Sequence, residues 1–202
     1  MNYKAVGFDY GGVITGQLGS ETGSDLAKLL EVTEKDYQQA YYNYNVAFNR
    51  GQITRQELWQ KILAELNKSD KITQLTNFFE GLDFGKPNKQ ILNLVDNLRG
   101  QGYKVGLLSN NSKEMANKIR RDDLGKHFDV LNISAETGFV KPEPEAFKHF
   151  AHDLEVELNE LVFVDDSKKS LSRASETGYR PILYKGYDGL LKQLKRIGVY
   201  QA

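Results

Sequence analysis

The sequence predicts an α/β fold, a three-layer parallel sheet with helices on both faces, plus a small all-helical insert after the first strand. Three observations predict it. From about residue 86 onward, short apolar runs alternate with segments of helical periodicity, the pattern of a parallel sheet covered on both sides. Residues 15 to about 85 break that rhythm and carry helical periodicity only. Two of the apolar runs end directly on acids, at Asp9 and at Asp165-Asp166.

Ala5-Val6-Gly7-Phe8 is too short for a buried helix and suits a buried strand, with Asp9 at its carboxyl end and Gly11-Gly12 turning away behind it. In the insert, Thr33 with Asp36 and Thr54 with Glu57 mark two helix starts of the capping-box kind. Leu58, Ile62 and Leu66 share a face widened by Trp59 and Leu63, and the stripe Tyr37, Tyr41, Tyr44 and Phe48 reads as packing. Pro87 then opens a helix whose apolar face is Ile91, Leu94, Val95 and Leu98. A buried strand follows over 103–109, a helix from Ser112 to about Leu124, and a strand over 128–133. After a turn and helix over 142–153 comes the strand Leu161-Val162-Phe163-Val164. The pattern then gives a helix from Ser167 to Thr177 closed by Gly178, a strand over 181–184 and a last helix over 187–197.

Composition narrows the function. Net charge is zero over 202 residues, so no global electrostatic attraction to nucleic acid or a membrane surface is expected. The absence of cysteine excludes disulfides, thiolate metal sites and a cysteine nucleophile. The first residues run straight into a strand and do not read as a signal peptide, and no apolar run approaches membrane-spanning length. The expectation is a cytoplasmic protein, monomer or homodimer, acting on a small molecule.

The strands that end in polar groups converge on one edge, where open α/β sheets bind ligands. The first supplies Asp9, the second Ser109-Asn110-Asn111, and the last Asp165-Asp166-Ser167; a loop before a helix supplies Lys141-Pro142. Carboxylates on two strand ends need a compensating positive charge to lie together. A divalent cation such as Mg²⁺, held by carboxylates and phosphate oxygens, meets that need. Lys141 adds a second positive charge suited to a phosphate, and Ser109 with the amides behind it can donate to phosphate oxygens. A carboxylate nucleophile, a metal, a lysine and a hydroxyl together describe phosphoryl transfer. On this reading Lys141 serves phosphate binding and turnover more than stability.

The four segments Phe8-Asp9-Tyr10-Gly11-Gly12-Val13, Leu107-Leu108-Ser109-Asn110, Lys141-Pro142 and Phe163-Val164-Asp165-Asp166-Ser167 resemble, in this order, the motifs of the haloacid dehalogenase superfamily. The stretch from Arg50 to Trp59 is similar in style to the helical cap of one branch. The resemblance implies a Rossmann-like catalytic core over 1–14 and 86–202 and a helical cap over 15–85. It also implies an Mg²⁺-dependent phosphatase of a small metabolite, such as a sugar phosphate, working through an aspartyl-phosphate. Asp9 is then the nucleophile, with Ser109 and Lys141 completing the catalytic set. Ser109, Asn110 and Lys141 bind the phosphoryl group, and Asp9, the Gly11 carbonyl, Asp166 and the adjacent Asp165 form the metal site. One departure stands out: phosphatases of this superfamily usually carry a second aspartate two positions after the nucleophile as acid/base, and here that position is Gly11. General acid–base help is worth ~10²–10⁴ in rate. Some members resembling glucose-1-phosphate phosphatases also have glycine there. Thr15, a residue of the insert or the substrate itself are the candidates to replace the acid. Two other readings remain: a dehalogenase, which needs neither proton nor metal, and a binding or regulatory protein on the same fold.

Overall fold

The computed structural model describes residues 2–16, 21–80, 86–121 and 124–200. The far junction of the insert near residue 85, and residues 122–123 of the helix expected to reach Leu124, lie outside them. Five parallel strands form one sheet: β1 (Ala5–Phe8), β2 (Lys104–Ser109), β3 (Val130–Ile133), β4 (Leu161–Asp165) and β5 (Arg180–Leu183), in the order β3-β2-β1-β4-β5. The order reverses direction at β1, so the crevice beyond the carboxyl ends of β1, β2 and β4 is the switch point of the sheet.

Successive strand residues face opposite sides, and each side has its own apolar cluster. Val6, Phe8, Val105, Leu107, Val162 and Val164 face one way. They are covered by α5 (Lys89–Gly100), α6 (Lys113–Arg121) and α10 (Tyr187–Arg196). Ala5, Leu108, Leu161 and Phe163 face the other way, beneath α8 (Pro144–Asp153) and α9 (Ala174–Thr177). Between β1 and α5 lie α1 (Glu21–Leu29), α2 (Glu34–Asn49), α3 (Arg55–Glu65) and α4 (Ile72–Glu80). These bury a third cluster of their own, including Leu26, Leu30, Leu58, Trp59, Ile62 and Leu75. The aromatic stripe of α2 belongs to it, Tyr37 buried and Tyr41, Tyr44 and Phe48 packed against it, so that stripe is packing as expected. The remaining short helix, α7 (Ser134–Thr137), follows β3 directly.

Local chemistry sets the boundaries. Thr54 and Glu57 form a complete capping box, whereas Thr33 accepts from the Asp36 N–H and returns its hydroxyl to the Asp36 carboxylate. Pro87 stands outside α5, because Asn88 is the cap and accepts from the Gln90 N–H at 3.0 Å. The helix expected from Ser167 to Thr177 shortens to Ala174–Thr177. Upstream, Asp165 and Ser167 side chains capture the backbone N–H groups of Ser167 and Ser170, and such local bonds compete with a helix. No helix among the described residues is long and apolar enough to cross a membrane.

Two glycines let α8 lie close on the sheet. A Cβ on Gly7 would sit 2.5 Å from Phe150 and 2.7 Å from Phe163, and one on Gly106 would sit 2.6 Å from Phe150. The Phe150 ring therefore occupies the space that two side chains would otherwise fill. Gly7→Ala is expected to cost about 1–3 kcal/mol by overpacking. Urea denaturation checks this through a lowered midpoint at unchanged slope.

Candidate active site

The sheet register explains why the acids meet. Phe8 is level with Val164 of β4 and with Leu107 of β2. The next residues, Asp9 and Asp165, are therefore level on neighbouring strands, roughly 4.8 Å apart in the hydrogen-bonding direction. The Asp9 N–H continues the ladder by donating to the Val164 carbonyl at 2.9 Å. By strand parity both side chains leave on the Phe163 side of the sheet, the side covered by α8. Lys141 enters from that side, three residues before α8 begins.

The Lys141 ammonium bridges the pair. Its Nζ donates to Asp9 Oδ1 at 2.7 Å and to Asp165 Oδ2 at 2.6 Å. It also lies 5.0 Å from the centre of the Phe163 ring. The Lys141 side chain is 2 % exposed, Asp165 0 % and Asp9 14 %. The other Asp165 oxygen accepts from the Ser167 N–H at 2.8 Å. Both oxygens of Asp165 are thus engaged by the protein.

The loop after β2 serves the same lysine. Asn110 grips the Lys141 backbone at both ends: its Nδ2 donates to the carbonyl and its Oδ1 accepts from the N–H. Its side chain therefore positions the Lys141 backbone. Ser109, buried at the end of β2, accepts from Asn111 Nδ2 at 2.8 Å, which leaves its own O–H to donate. Asn111 is fixed in turn by Ser134, whose hydroxyl accepts from the Asn111 N–H. Sequence reasoning named Asn111 without a role and did not find Ser134.

At the turn after β1, Gly12 has φ +77° and Gly11 does not share that conformation. A Cβ on Gly11 would meet no described atom within 4 Å. Neither backbone conformation nor crowding by the described residues therefore demands a glycine at 11. Thr15 is buried with its hydroxyl directed to the Tyr10 carbonyl. The histidines sit outside this cluster, His127 with Asp96 and the pair His149 and His152 with Asp153 on α8.

Asp9, Asp165 and Asp166 each offer a carboxylate oxygen within 4.8 Å of the others. Three acids and one lysine leave two negative charges when all are ionised, and a hard divalent cation with oxygen ligands fits that donor set. Without one, burial pushes the Asp9 carboxyl up from 3.8 to about 6; Lys141 opposes the shift and Asp165 adds to it. Lys141 is raised above its ordinary value, because the attraction of Asp9 and Asp165 outweighs the opposing effect of burial.

Among the described residues the helical block touches the loops around this site through Tyr42, Arg50, Gly51 and Arg55, the last donating to the Ser112 hydroxyl at 3.4 Å. Arg50, just past α2, donates to the Gly138 carbonyl and to Glu143, on either side of Lys141. Gly51, at φ +67°, lies so close to the Ala135 carbonyl that a Cβ would stand 2.4 Å from its oxygen. Tyr42 of α2 packs its ring 5.1 Å from Lys169 Nζ, in the loop after β4.

A family model of haloacid dehalogenase-like hydrolases matches residues 3–171. Rat bifunctional epoxide hydrolase 2 is 30% identical over 117 residues, 54% of this chain and 21% of that protein. The chain spans only 21–25% of the length of the mammalian epoxide hydrolases it matches. D-ribitol-5-phosphate phosphatase of Bacteroides thetaiotaomicron is 26% identical over 192 residues, 87% of this chain and 89% of that one. A HAD-family enzyme of the same organism superposes with TM-score 0.73 at 25% identity, covering 93% of this chain and 97% of the other. A structure of such an enzyme with magnesium and inorganic phosphate gives TM-score 0.69 at 24% identity, covering 91% and 95%.

The charge cluster predicts the pH dependence of stability in chelator. Asp9 binds a proton more tightly folded than unfolded, so its contribution falls as pH rises from 3.8 to about 6, and the full penalty persists above. Asp9→Asn is expected to raise the melting temperature above pH 6, by an amount worth about 1–3 kcal/mol, and the gain should vanish below pH 4. Lys141→Ala leaves two buried acids unpaired and is expected to cost about 3–5 kcal/mol at neutral pH. Lys141 therefore bears on stability as well as on any phosphate. Melting curves across pH in chelator check both signs.

Proposed function

From the premise that the chain belongs to the haloacid dehalogenase-like hydrolases, we propose that it is an Mg²⁺-dependent phosphatase of a small phosphorylated metabolite. Residues 1–14 and 86–202 form the catalytic core on this reading, and 15–85 the cap. The observation that carries it is the charge count: Lys141 pairs Asp9 with Asp165, and two negative charges remain beside a nucleophile at a sheet switch point. The phosphatase relative and the neighbour solved with magnesium and phosphate support it. A dehalogenase needs no such acid triplet.

Asp9, Asp166 and the Gly11 carbonyl would hold Mg²⁺, with Asp165 adjacent, where it accepts from Lys141 and from the Ser167 N–H. When bound, the ion offsets the charge of the phosphoryl oxygens. A carboxylate oxygen of Asp9 forms a bond to phosphorus as the ester P–O bond breaks, and the leaving oxygen departs with the electron pair. The Ser109 hydroxyl and the remaining Lys141 N–H donate to the equatorial oxygens. Water then attacks the phosphorus, releasing phosphate and restoring Asp9. Gly11 offers no proton to the leaving oxygen in the first half-reaction, and Thr15 is committed to Tyr10. The proton comes from solvent or from the substrate.

This account predicts a leaving-group dependence. Turnover should need Mg²⁺, stop in chelator and in Asp9→Asn, and be faster on acyl and aryl phosphates than on alkyl phosphates. Since the described residues leave room for a side chain at position 11, Gly11→Asp should raise the rate on alkyl phosphates by up to ~10²-fold, with little change on aryl ones. A kinetic screen over the three ester classes measures this; wild-type activity in Asp9→Asn would overturn the mechanism.

A further inference from the structure

We propose that the last turns of α8 carry a transition-metal site, formed by His149, His152 and Asp153, that takes a divalent ion of the zinc type. The site is independent of the phosphatase reading and shares no residue with the acids at Asp9.

The sequence His149-Phe150-Ala151-His152-Asp153 sets the arrangement. Residues at i, i+3 and i+4 of a helix are neighbours on one face. At about 100° per residue, the three polar side chains share an arc of about 100°. Phe150 and Ala151, between them in sequence, turn away and are buried in the cluster against the sheet. The packing that seats α8 therefore holds the polar three on its outer side. Two of the chain's three histidines stand here.

Their donor atoms converge. Asp153 Oδ1 lies 3.6 Å from His149 Nδ1 and 3.2 Å from His152 Nδ1. One donor atom from each residue lies within 4.8 Å of the other two. Tetrahedral ligands at about 2.0–2.1 Å from an ion stand about 3.3 Å from one another. The carboxylate oxygen is thus already at ligand spacing from both imidazoles. At 3.6 Å the His149 contact is too long for a hydrogen bond. An ion among the three atoms accounts for a convergence that a shared proton does not.

The carboxylate and one ring are supported from behind. Asn132 of β3, 5% exposed, donates its Nδ2 to Asp153 Oδ2 at 3.1 Å. That bond occupies the far oxygen and leaves Oδ1 turned to the imidazoles, as the outer partners of metal ligands do. Phe139 packs edge-on against His149, with ring centres 5.2 Å apart, and restrains that ring. His152 is 84% exposed, so an ion enters from solvent. The free carbonyls at the C-terminus of a helix also favour a cation. Imidazole nitrogens suit zinc, nickel and copper, whereas Mg²⁺ takes oxygen ligands. The two acid-containing sites therefore differ in the metal they select. Three protein ligands leave the remaining position at α8 to water.

The test is calorimetric titration of zinc chloride into the full chain with Mg²⁺ in excess, which competes for the acids at Asp9. Wild type and Asp9→Asn should each show one saturable Zn²⁺ site of equal affinity. Asn132→Ala should weaken it by ~10–100-fold, and His152→Gln by at least as much. If Asn132→Ala fails to melt cooperatively, His149→Gln takes its place with the same expectation. Cu²⁺ bound under the same conditions should show nitrogen coupling in its spin-resonance spectrum, reduced in His152→Gln. No saturable Zn²⁺ binding in wild type would mean an ion pair only and overturn the proposal. Equal affinity in wild type and His152→Gln would overturn it as well, as would binding lost in Asp9→Asn, which places the ion at the acids.

Discussion

The Lys141 ammonium between Asp9 and Asp165 is the interaction on which the rest of the site depends. Two carboxylates at the same level of adjacent parallel strands repel each other, and burial magnifies the repulsion. A buried cation on the side to which both point makes the arrangement tenable, and one is present at 2.7 and 2.6 Å. Much of the neighbourhood serves to keep it there. Asn110 fixes the Lys141 backbone, Phe163 lies under its head, and Arg50 braces both flanks of its loop. The lysine offsets one of the negative charges of the three clustered acids.

The helical block is tied to the same loops that build the site. Its contacts include Ser112 after β2, Ala135, Gly138 and Glu143 after β3, and Lys169 after β4. The Arg50–Glu143 pair is about one-third exposed on each side, and such pairs are individually weak. Gly51 against the Ala135 carbonyl is a contact of shape that no other residue can reproduce.

The alternation of strands and helices and the convergence of polar strand ends were legible in the sequence because both are local signals; the order β3-β2-β1-β4-β5 was not. Asp9, Ser109, Lys141 and Asp165-Asp166 announced themselves by ending apolar runs or by preceding a helix. What was not legible depended on register and side-chain direction. The sequence could not say that Lys141 would lie closer to Asp165 than to open solvent, nor that Asn110 would turn to the Lys141 backbone. The contact of Ser134 with Asn111 brings together residues separated by 23 positions, and no spacing rule reaches that far. The helix over 167–177 was overestimated because its apolar pattern was visible while the capture of its N–H groups by Asp165 and Ser167 was not. The direction of α2 became readable only from Tyr42 and Arg50, whose partners lie on opposite sides of the sheet centre.

The central claim is that the bridged acids leave a charge deficit that one divalent cation fills. Calorimetric titration of Mg²⁺ into the wild-type protein and into Asp166→Asn at neutral pH tests it directly. The account predicts one saturable site per chain, weakened at least ~10-fold in Asp166→Asn. No saturable Mg²⁺ binding by the wild type, or equal affinity in the two proteins, would contradict it.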